Sequence, residues 1–239
     1  MQKKRLLGLD VFRGIAILLM ILYHFIYDLD DFGLISLEMN STLSILIFRY
    51  TIITMFLLTV GVSLALVHQK AINYTSVKKR ILTLGASASL VSLSTYVLFP
   101  EHWIYFGILH FILVASILTL PLLKYPKITL LLILIIFLGW LTDTLHLTFL
   151  YNLLQAPLNL PLDFSLDRIP LFPWWAVVLL GTVLVQYKWH EKLFKLKLFN
   201  HTSKLHHLLK IMGQNALVIY LVHQPILLFF FYIFFKIME

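Results

Sequence analysis

Four side chains that can carry a charge or a proton lie on one face of the first long apolar segment. This segment, Leu9–Leu29, is long enough to cross a bilayer and contains Asp10, Arg13, His24 and Asp28. At about 100° per residue, the four fall within an arc of roughly 60° on a helix. A charge that faces hydrocarbon costs about 2.5 kcal/mol or more. We therefore expect this polar stripe to face the protein interior.

The imidazole of His24 is the strongest candidate for proton transfer. It lies about 21 Å along the helix axis from Asp10, and Asp28 follows it one turn later. A carboxylate there would accept a hydrogen bond from the ring and fix its tautomer. Two alternatives stay open. In the first, Asp10 and Arg13 have a purely structural role and pair with each other or extend to the membrane interface. In the second, His24 forms a hydrogen bond between helices and takes no part in proton transfer.

Other polar side chains fall at a similar predicted depth. His110 lies about two turns into the fourth apolar segment, and His223 lies near the middle of the last one. Pro225 removes a backbone donor there and leaves carbonyl groups near His223 open to other partners. We expect a polar cavity that opens to the outer side. The residues predicted to line it are Arg49, His110, Arg168, His223 and Gln224.

The composition places these groups in a membrane protein. Of the 239 residues, 60% are hydrophobic and 13% are charged, which is more apolar surface than a soluble domain of this length can bury. The chain has no cysteine, so disulfides and thiolate metal sites are excluded. It also lacks the HExxH, GxSxG and glycine-rich phosphate-loop motifs. A metal site of His24, His110 and His223 would be chemically possible, but no spacing requires it. We predict no metal and no permanently bound cofactor.

We predict an all-α polytopic membrane bundle that forms a single domain over residues 1–239. Strands are excluded as spans because they would need a closed barrel, and no alternating pattern is present. Seven apolar runs meet the length criterion for membrane helices: Leu9–Leu29, Leu43–Val67, Ile81–Phe99, Ile104–Leu123, Ile128–Leu147, Leu171–Tyr187 and Gly213–Lys236.

The distribution of lysine and arginine predicts the N-terminus inside and the C-terminus outside. In this orientation 15 of the 19 basic residues fall in cytoplasmic segments, as the positive-inside rule requires. Topology and contact with anionic lipid then explain the net charge of +8, so we predict no nucleic-acid partner. We expect a multi-pass protein of the inner (plasma) membrane. The basic connection before the last span is expected to be a solvated loop or an amphipathic helix on the cytoplasmic leaflet.

The first segment resembles the opening helix of the transmembrane acyltransferase superfamily. "LDVFRGIAILLMILYHF" is similar to the first helix of acyltransferase-3 proteins and of bacterial relatives of heparan-alpha-glucosaminide N-acetyltransferase. "FGILHFI", "RIPLFPWWAVVLLG" and "GQNALVIYLVHQP" resemble later segments of the latter family, in the same order. The resemblance therefore covers nearly the whole chain.

The resemblance implies an enzyme that transfers an acyl group, most simply acetyl, from cytoplasmic acyl-CoA. The acyl acceptor would be a hydroxyl or amine of a sugar or glycan on the outer side. The histidine implicated in acyltransferase-3 catalysis matches His24, and the arginine of that helix matches Arg13. We therefore expect His24 and Asp28 to be catalytic, and Asp10 and Arg13 to bind acyl-CoA, whose phosphates suit a guanidinium. The five residues predicted to line the outer cavity would then bind the acyl acceptor or stabilise an oxyanion.

One departure limits what the resemblance implies. The lysosomal enzyme is much larger and carries its implicated histidine between its first two membrane helices, a segment that has no histidine here. Its mechanism is therefore not transferred, and both direct acyl transfer and an acyl-histidine intermediate stay open. The alternative function is a small-molecule or proton-coupled transporter, in which the same groups relay protons or bind an anion. A third reading is a non-catalytic membrane scaffold.

Overall fold

The computed structural model describes residues 6–39, 41–161, 165–199 and 203–238, and every regular element in these ranges is helical. The chain belongs to the all-helical class that the apolar runs predict. Two short 3-10 segments, Leu120–Lys124 and Lys197–Phe199, accompany the α-helices. The α-helices are α1 Leu7–Asp31, α2 Leu43–Val67, α3 Tyr74–Leu98, α4 Ile108–Thr119, α5 Pro126–Leu141, α6 Thr148–Gln155, α7 Leu171–Gln186, α8 Trp189–Phe194, α9 Lys204–Gln214 and α10 Ala216–Met238.

Four of the helices are long and apolar enough to cross a membrane: α1, α2, α3 and α10. The three other predicted spans fall on shorter apolar helices, namely Ile108–Lys124 (α4 with its 3-10 extension), α5 and α7. The fourth and fifth spans were predicted too long, because residues 104–107 and 142–147 lie outside helices. The structure is that of a multi-pass membrane protein.

The third span begins earlier than hydropathy predicts. Helix α3 starts at Tyr74 rather than Ile81, because the Asn73 side chain accepts a hydrogen bond from the Ser76 amide and caps the helix. The first turns then carry Lys78, Lys79 and Arg80. Hydropathy cannot detect a basic helical extension of this kind. The charged residues lower the mean hydropathy of the window, although the helix, capped by Asn73, continues through them.

The last predicted span is divided between two helices. Helix α9 ends at Gln214 and α10 begins at Ala216, with Asn215 between them at φ −109° and ψ 23°. Of the two predicted forms of the basic connection, the structure forms a helix for its last part. The Ser203 side chain caps α9, in which Leu209 is buried and Leu208 is exposed.

The chain divides into two compact units, and each is described by itself. Unit 1 consists of Met1–Thr59 with His190–Glu239, and unit 2 is Val60–Trp189. In unit 2, α5 packs on α7, and α3 and α7 pack on α4. Phe111, Val178 and Leu179 are fully buried there.

In unit 1, the first helix packs against the last two. Helix α1 contacts α9 at Asp10 and Gln214, and it contacts α10 at His24 and His223. Further along, Phe32 stacks on Phe231 of α10. Residue numbers rise together along α1 and α10, so these two helices run parallel.

Two glycines allow α1 and α9 to touch through their backbones. A Cβ atom on Gly14 would collide with the Leu209 carbonyl group, and one on Gly213 would collide with the Asp10 carbonyl group. Each glycine thus removes the side chain that would hold the two helices apart. This close approach brings Asp10 and Arg13 within hydrogen-bonding reach of the C-terminal end of α9.

Candidate functional site

The four side chains of the α1 stripe all lie against the C-terminal helices of unit 1. At the first turn of the stripe, the Arg13 guanidinium lies 3.5 Å from the Asp10 carboxylate. It also donates to the Gly213 carbonyl oxygen at 3.3 Å. The other Asp10 oxygen accepts a hydrogen bond of 3.2 Å from the Gln214 amide. Asp10 is buried, so the cation and the amide together compensate a carboxylate removed from water.

Fourteen positions further along α1, His24 meets a second histidine. The ring centroids of His24 and His223 lie 4.9 Å apart, with their planes 58° apart. His223 is buried, and its Nδ1 donates a hydrogen bond of 2.6 Å to the Tyr220 carbonyl oxygen. A carbonyl oxygen can only accept, so the proton of the neutral ring is on Nδ1 and the lone pair is on Nε2.

Asp28 does not have the partner that the sequence suggests. Its Oδ1 accepts a hydrogen bond of 2.7 Å from the Gln224 amide, and the predicted hydrogen bond from His24 is not formed. Helical spacing correctly placed Asp28 one turn after His24, but it could not show which side chain of α10 lies opposite. Asp28 is only 2% exposed, so Gln224 takes the place of water for one of its oxygens.

Arg49 of α2 also belongs to unit 1. Its guanidinium lies near enough to the Tyr23 side chain to interact with it electrostatically, and it lies 5.9 Å from the centre of the Tyr50 ring. The Tyr23 ring in turn meets the His24 ring edge-on, with 5.7 Å between centroids. A positive charge is therefore held one aromatic ring away from His24.

Two predicted site residues lie in unit 2. Nε2 of His110 lies 3.1 Å from the Ser92 hydroxyl, whose single hydrogen goes to the Ile104 carbonyl oxygen. The His110 ring must therefore be the donor to Ser92. Arg168 is exposed, and its guanidinium lies 5.4 Å from the centre of the Tyr151 ring.

Three buried acceptor atoms of unit 1 have no hydrogen-bond partner among the described residues. They are Oδ2 of Asp28, Nε2 of His223 and Oε1 of Gln224, and we call them the lone-pair cluster. An unpartnered buried acceptor costs about 1–3 kcal/mol, and native proteins rarely keep several of them without an occupant. Within the described parts of the chain, no group of three histidine and acidic side chains is placed to hold a metal ion.

The lone-pair cluster bears on one of the predicted roles. An oxyanion is stabilised by hydrogen-bond donors, whereas the unpartnered atoms of His223 and Gln224 are acceptors. This arrangement favours contact with donor groups of a bound molecule. The sequence left two roles open for His223 and Gln224, binding of the acyl acceptor and stabilisation of an oxyanion. Binding of the acyl acceptor fits this geometry better.

Sequence reasoning missed three contributors to the site: Gln214, Tyr23 and the Tyr220 carbonyl group. Gln214 stands at the end of a helix, where an uncharged polar side chain is expected at a membrane interface and draws no attention. The Tyr220 carbonyl is backbone, and only Pro225 signalled that carbonyl groups of α10 would seek other partners. Seven of the nine predicted site residues do lie in unit 1, with only His110 and Arg168 outside it.

Residues 5–225 match the family model described as heparan-alpha-glucosaminide N-acetyltransferase, catalytic. The match includes all nine predicted site residues and extends to Pro225 of α10. Neither the comparison with curated proteins nor the comparison with solved structures gave a match.

Proposed function

Since this chain belongs to the heparan-alpha-glucosaminide N-acetyltransferase catalytic family, we propose that it transfers an acetyl group from cytoplasmic acetyl-CoA to an acceptor on the outer side. The acyl acceptor is a hydroxyl or amine of a sugar or glycan. Family membership makes an acetyltransferase of the membrane the expected activity, and it disfavours the transporter. The observation that carries the proposal is the row of polar side chains along α1, closed by α9 and α10 from Asp10 to Asp28.

In the proposed reaction, His24 is the general base. A ring nitrogen of His24 takes the proton of the acceptor hydroxyl or amine while the oxygen or nitrogen attacks the thioester carbonyl carbon. The new C–O or C–N bond forms, the C–S bond breaks, and the CoA thiolate leaves. The imidazolium returns the proton to the thiolate. His223, whose ring lies 4.9 Å from that of His24, contacts the acyl acceptor on the other side.

The donor site is proposed at the first turns of α1, with Asp10 and Arg13. Arg13 lies about 16 Å along the helix axis from His24, a distance comparable to the extended pantetheine arm of CoA. The guanidinium is paired with Asp10 in the structure, so a CoA phosphate competes with that carboxylate. Arg49, one aromatic ring from His24, is proposed to face the acyl acceptor together with Gln224.

The proposed topology has seven spans, with the N-terminus inside and the C-terminus outside. The parallel packing of α1 and α10 supports it, because parallel first and last spans require an odd number of crossings. Helices α5 and α7 have 16 residues each, about 24 Å of helix, which is shorter than the roughly 30 Å hydrocarbon core. The bilayer accommodates such spans by thinning locally. The plasma membrane is the proposed location.

The proposed function is tested with the purified chain in sealed vesicles. Acetyl-CoA with a radiolabelled acetyl group is supplied on the side of Lys78–Arg80, and glucosamine is the probe acceptor on the other side. We expect labelled N-acetylglucosamine to accumulate only with the wild-type chain, and not with His24→Gln. If no label reaches glucosamine or an oligosaccharide containing it from either side, the proposed function is wrong.

A further inference from the structure

The lone-pair cluster lies beside two hydrogen bonds that fix its members. His223 uses Nδ1–H on the Tyr220 carbonyl oxygen and leaves Nε2 unpartnered. Gln224 uses its amide N–H on Asp28 and leaves Oε1 unpartnered. In each of these two consecutive residues of α10, the side-chain N–H donates to a protein oxygen and the remaining acceptor atom has no partner among the described residues.

We propose that Asp28 is a positioning residue for Gln224, and that Gln224 Oε1 and His223 Nε2 together accept two hydrogen bonds from the acyl acceptor. This inference rests on the proposed function for the identity of the bound molecule. It differs from the role that sequence spacing suggests for Asp28, because Asp28 acts through Gln224 and not through His24.

The chemistry of the carboxylate supports this assignment. An ionised carboxylate can only accept hydrogen bonds, so the amide nitrogen of Gln224 faces Asp28 and the amide oxygen faces away. A free glutamine amide turns over at little cost, and a bound molecule would then meet either a donor or an acceptor. Asp28 removes this ambiguity. Asp28 is only 2% exposed, and it holds the Gln224 amide so that Oε1 can accept a hydrogen bond from a donor group of the bound molecule.

Asp28→Leu, Asp28→Asn, Gln224→Met and the double variant Asp28→Leu/Gln224→Met separate the two roles. Release of the CoA thiol from acetyl-CoA is followed with a thiol reagent while the glucosamine concentration is varied. The chain contains no cysteine, so the protein gives no background signal. Asp31→Asn removes a carboxylate from the exposed end of the same helix and is the matched control.

We expect Asp28→Leu and Gln224→Met each to raise the KM for glucosamine about tenfold, the effect of one lost hydrogen bond, with kcat changed much less. Asp28→Asn keeps an oxygen for the Gln224 amide and should recover most of the lost affinity. The double variant should be no worse than Gln224→Met alone. If Asp28 instead oriented His24, Asp28→Asn would lower kcat, and the two single effects would multiply. Either result overturns the proposal.

A second measurement does not depend on activity. Thermal unfolding in detergent is measured for the same variants and for His24→Gln and Asp28→Leu/His24→Gln. Arranged as double-mutant cycles, these should show coupling between Asp28 and Gln224 and none between Asp28 and His24. Absence of coupling between Asp28 and Gln224 overturns the positioning role whether or not the protein transfers acetyl groups. Coupling in a protein that transfers none would leave the positioning role standing and contradict the proposed function instead.

Discussion

The imidazole rings of His24 and His223 lie 4.9 Å apart, one from the first helix and one from the last. Of these two histidines, His223 has its tautomer fixed by a hydrogen bond to the Tyr220 carbonyl oxygen. His24 has no such anchor in the described structure, so its ring can gain and lose a proton without breaking a hydrogen bond. This asymmetry fits a pair in which His24 handles the proton and His223 binds.

His24→Gln should abolish acetyl transfer without unfolding the protein. Loss of a general base typically lowers the rate by about 10²–10⁴-fold, whereas an interhelical hydrogen bond contributes only about 0.6–2 kcal/mol to stability. The rate of CoA release and the unfolding temperature are measured together. His207→Gln, an exposed histidine of α9, is the control. Near-normal turnover of His24→Gln would remove His24 from the mechanism and make His110 the next candidate.

Arg13→Gln should weaken acetyl-CoA binding about tenfold or more, because a charge-assisted hydrogen bond contributes about 1.5–3 kcal/mol. It should also destabilise the fold, because buried Asp10 loses its cation. The double variant Asp10→Asn/Arg13→Gln separates the two effects. It should recover stability but not binding, as measured by thermal unfolding and by equilibrium binding of acetyl-CoA. If the single variant binds acetyl-CoA as the wild type does, Arg13 only ties α1 to α9.

Gly14→Ala should be strongly destabilising, although alanine is the better helix former by about 1 kcal/mol. The new Cβ would collide with the Leu209 backbone, and overpacking of this kind costs about 1–3 kcal/mol. Gly85→Ala is the matched control, since its Cβ would meet only the Leu113 side chain at 3.9 Å. A lower unfolding temperature for Gly14→Ala alone is expected. Equal unfolding temperatures would mean that α9 moves aside easily.

The topology can be tested with single cysteines in the cysteine-free chain. Gln69→Cys lies in the exposed connection before α3, and Asn152→Cys lies on exposed α6. In intact cells, a membrane-impermeant thiol reagent should label Asn152→Cys and leave Gln69→Cys unlabelled until the membrane is permeabilised. Labelling of Gln69→Cys alone would reverse the proposed orientation.

Hydropathy and periodicity predicted the helical class, the approximate positions of the spans and the polar face of α1. They did so because a segment that crosses lipid must be apolar and must satisfy its own backbone hydrogen bonds, which a helix does. The partners within the site could not be predicted in the same way. Asp28 and Gln224 are 196 positions apart, and no local rule relates them. The break at Asn215 was also missed, because only two residues of the predicted span, Gly213 and Gln214, precede it.

The hydrogen bond between Asp28 and Gln224 has a consequence for biosynthesis. Helix α1 leaves the ribosome before α10. The Gln224 partner of Asp28 is made 196 residues later, which takes about 10–40 s at 5–20 residues per second. During that interval the polar side chains of α1 are in the membrane without their partners on α10, such as Gln224, which donates to Asp28. The nascent chain must therefore be sheltered, by the translocon or by its other helices, until α10 arrives. Truncation before α10 leaves a bundle whose first helix is permanently incomplete.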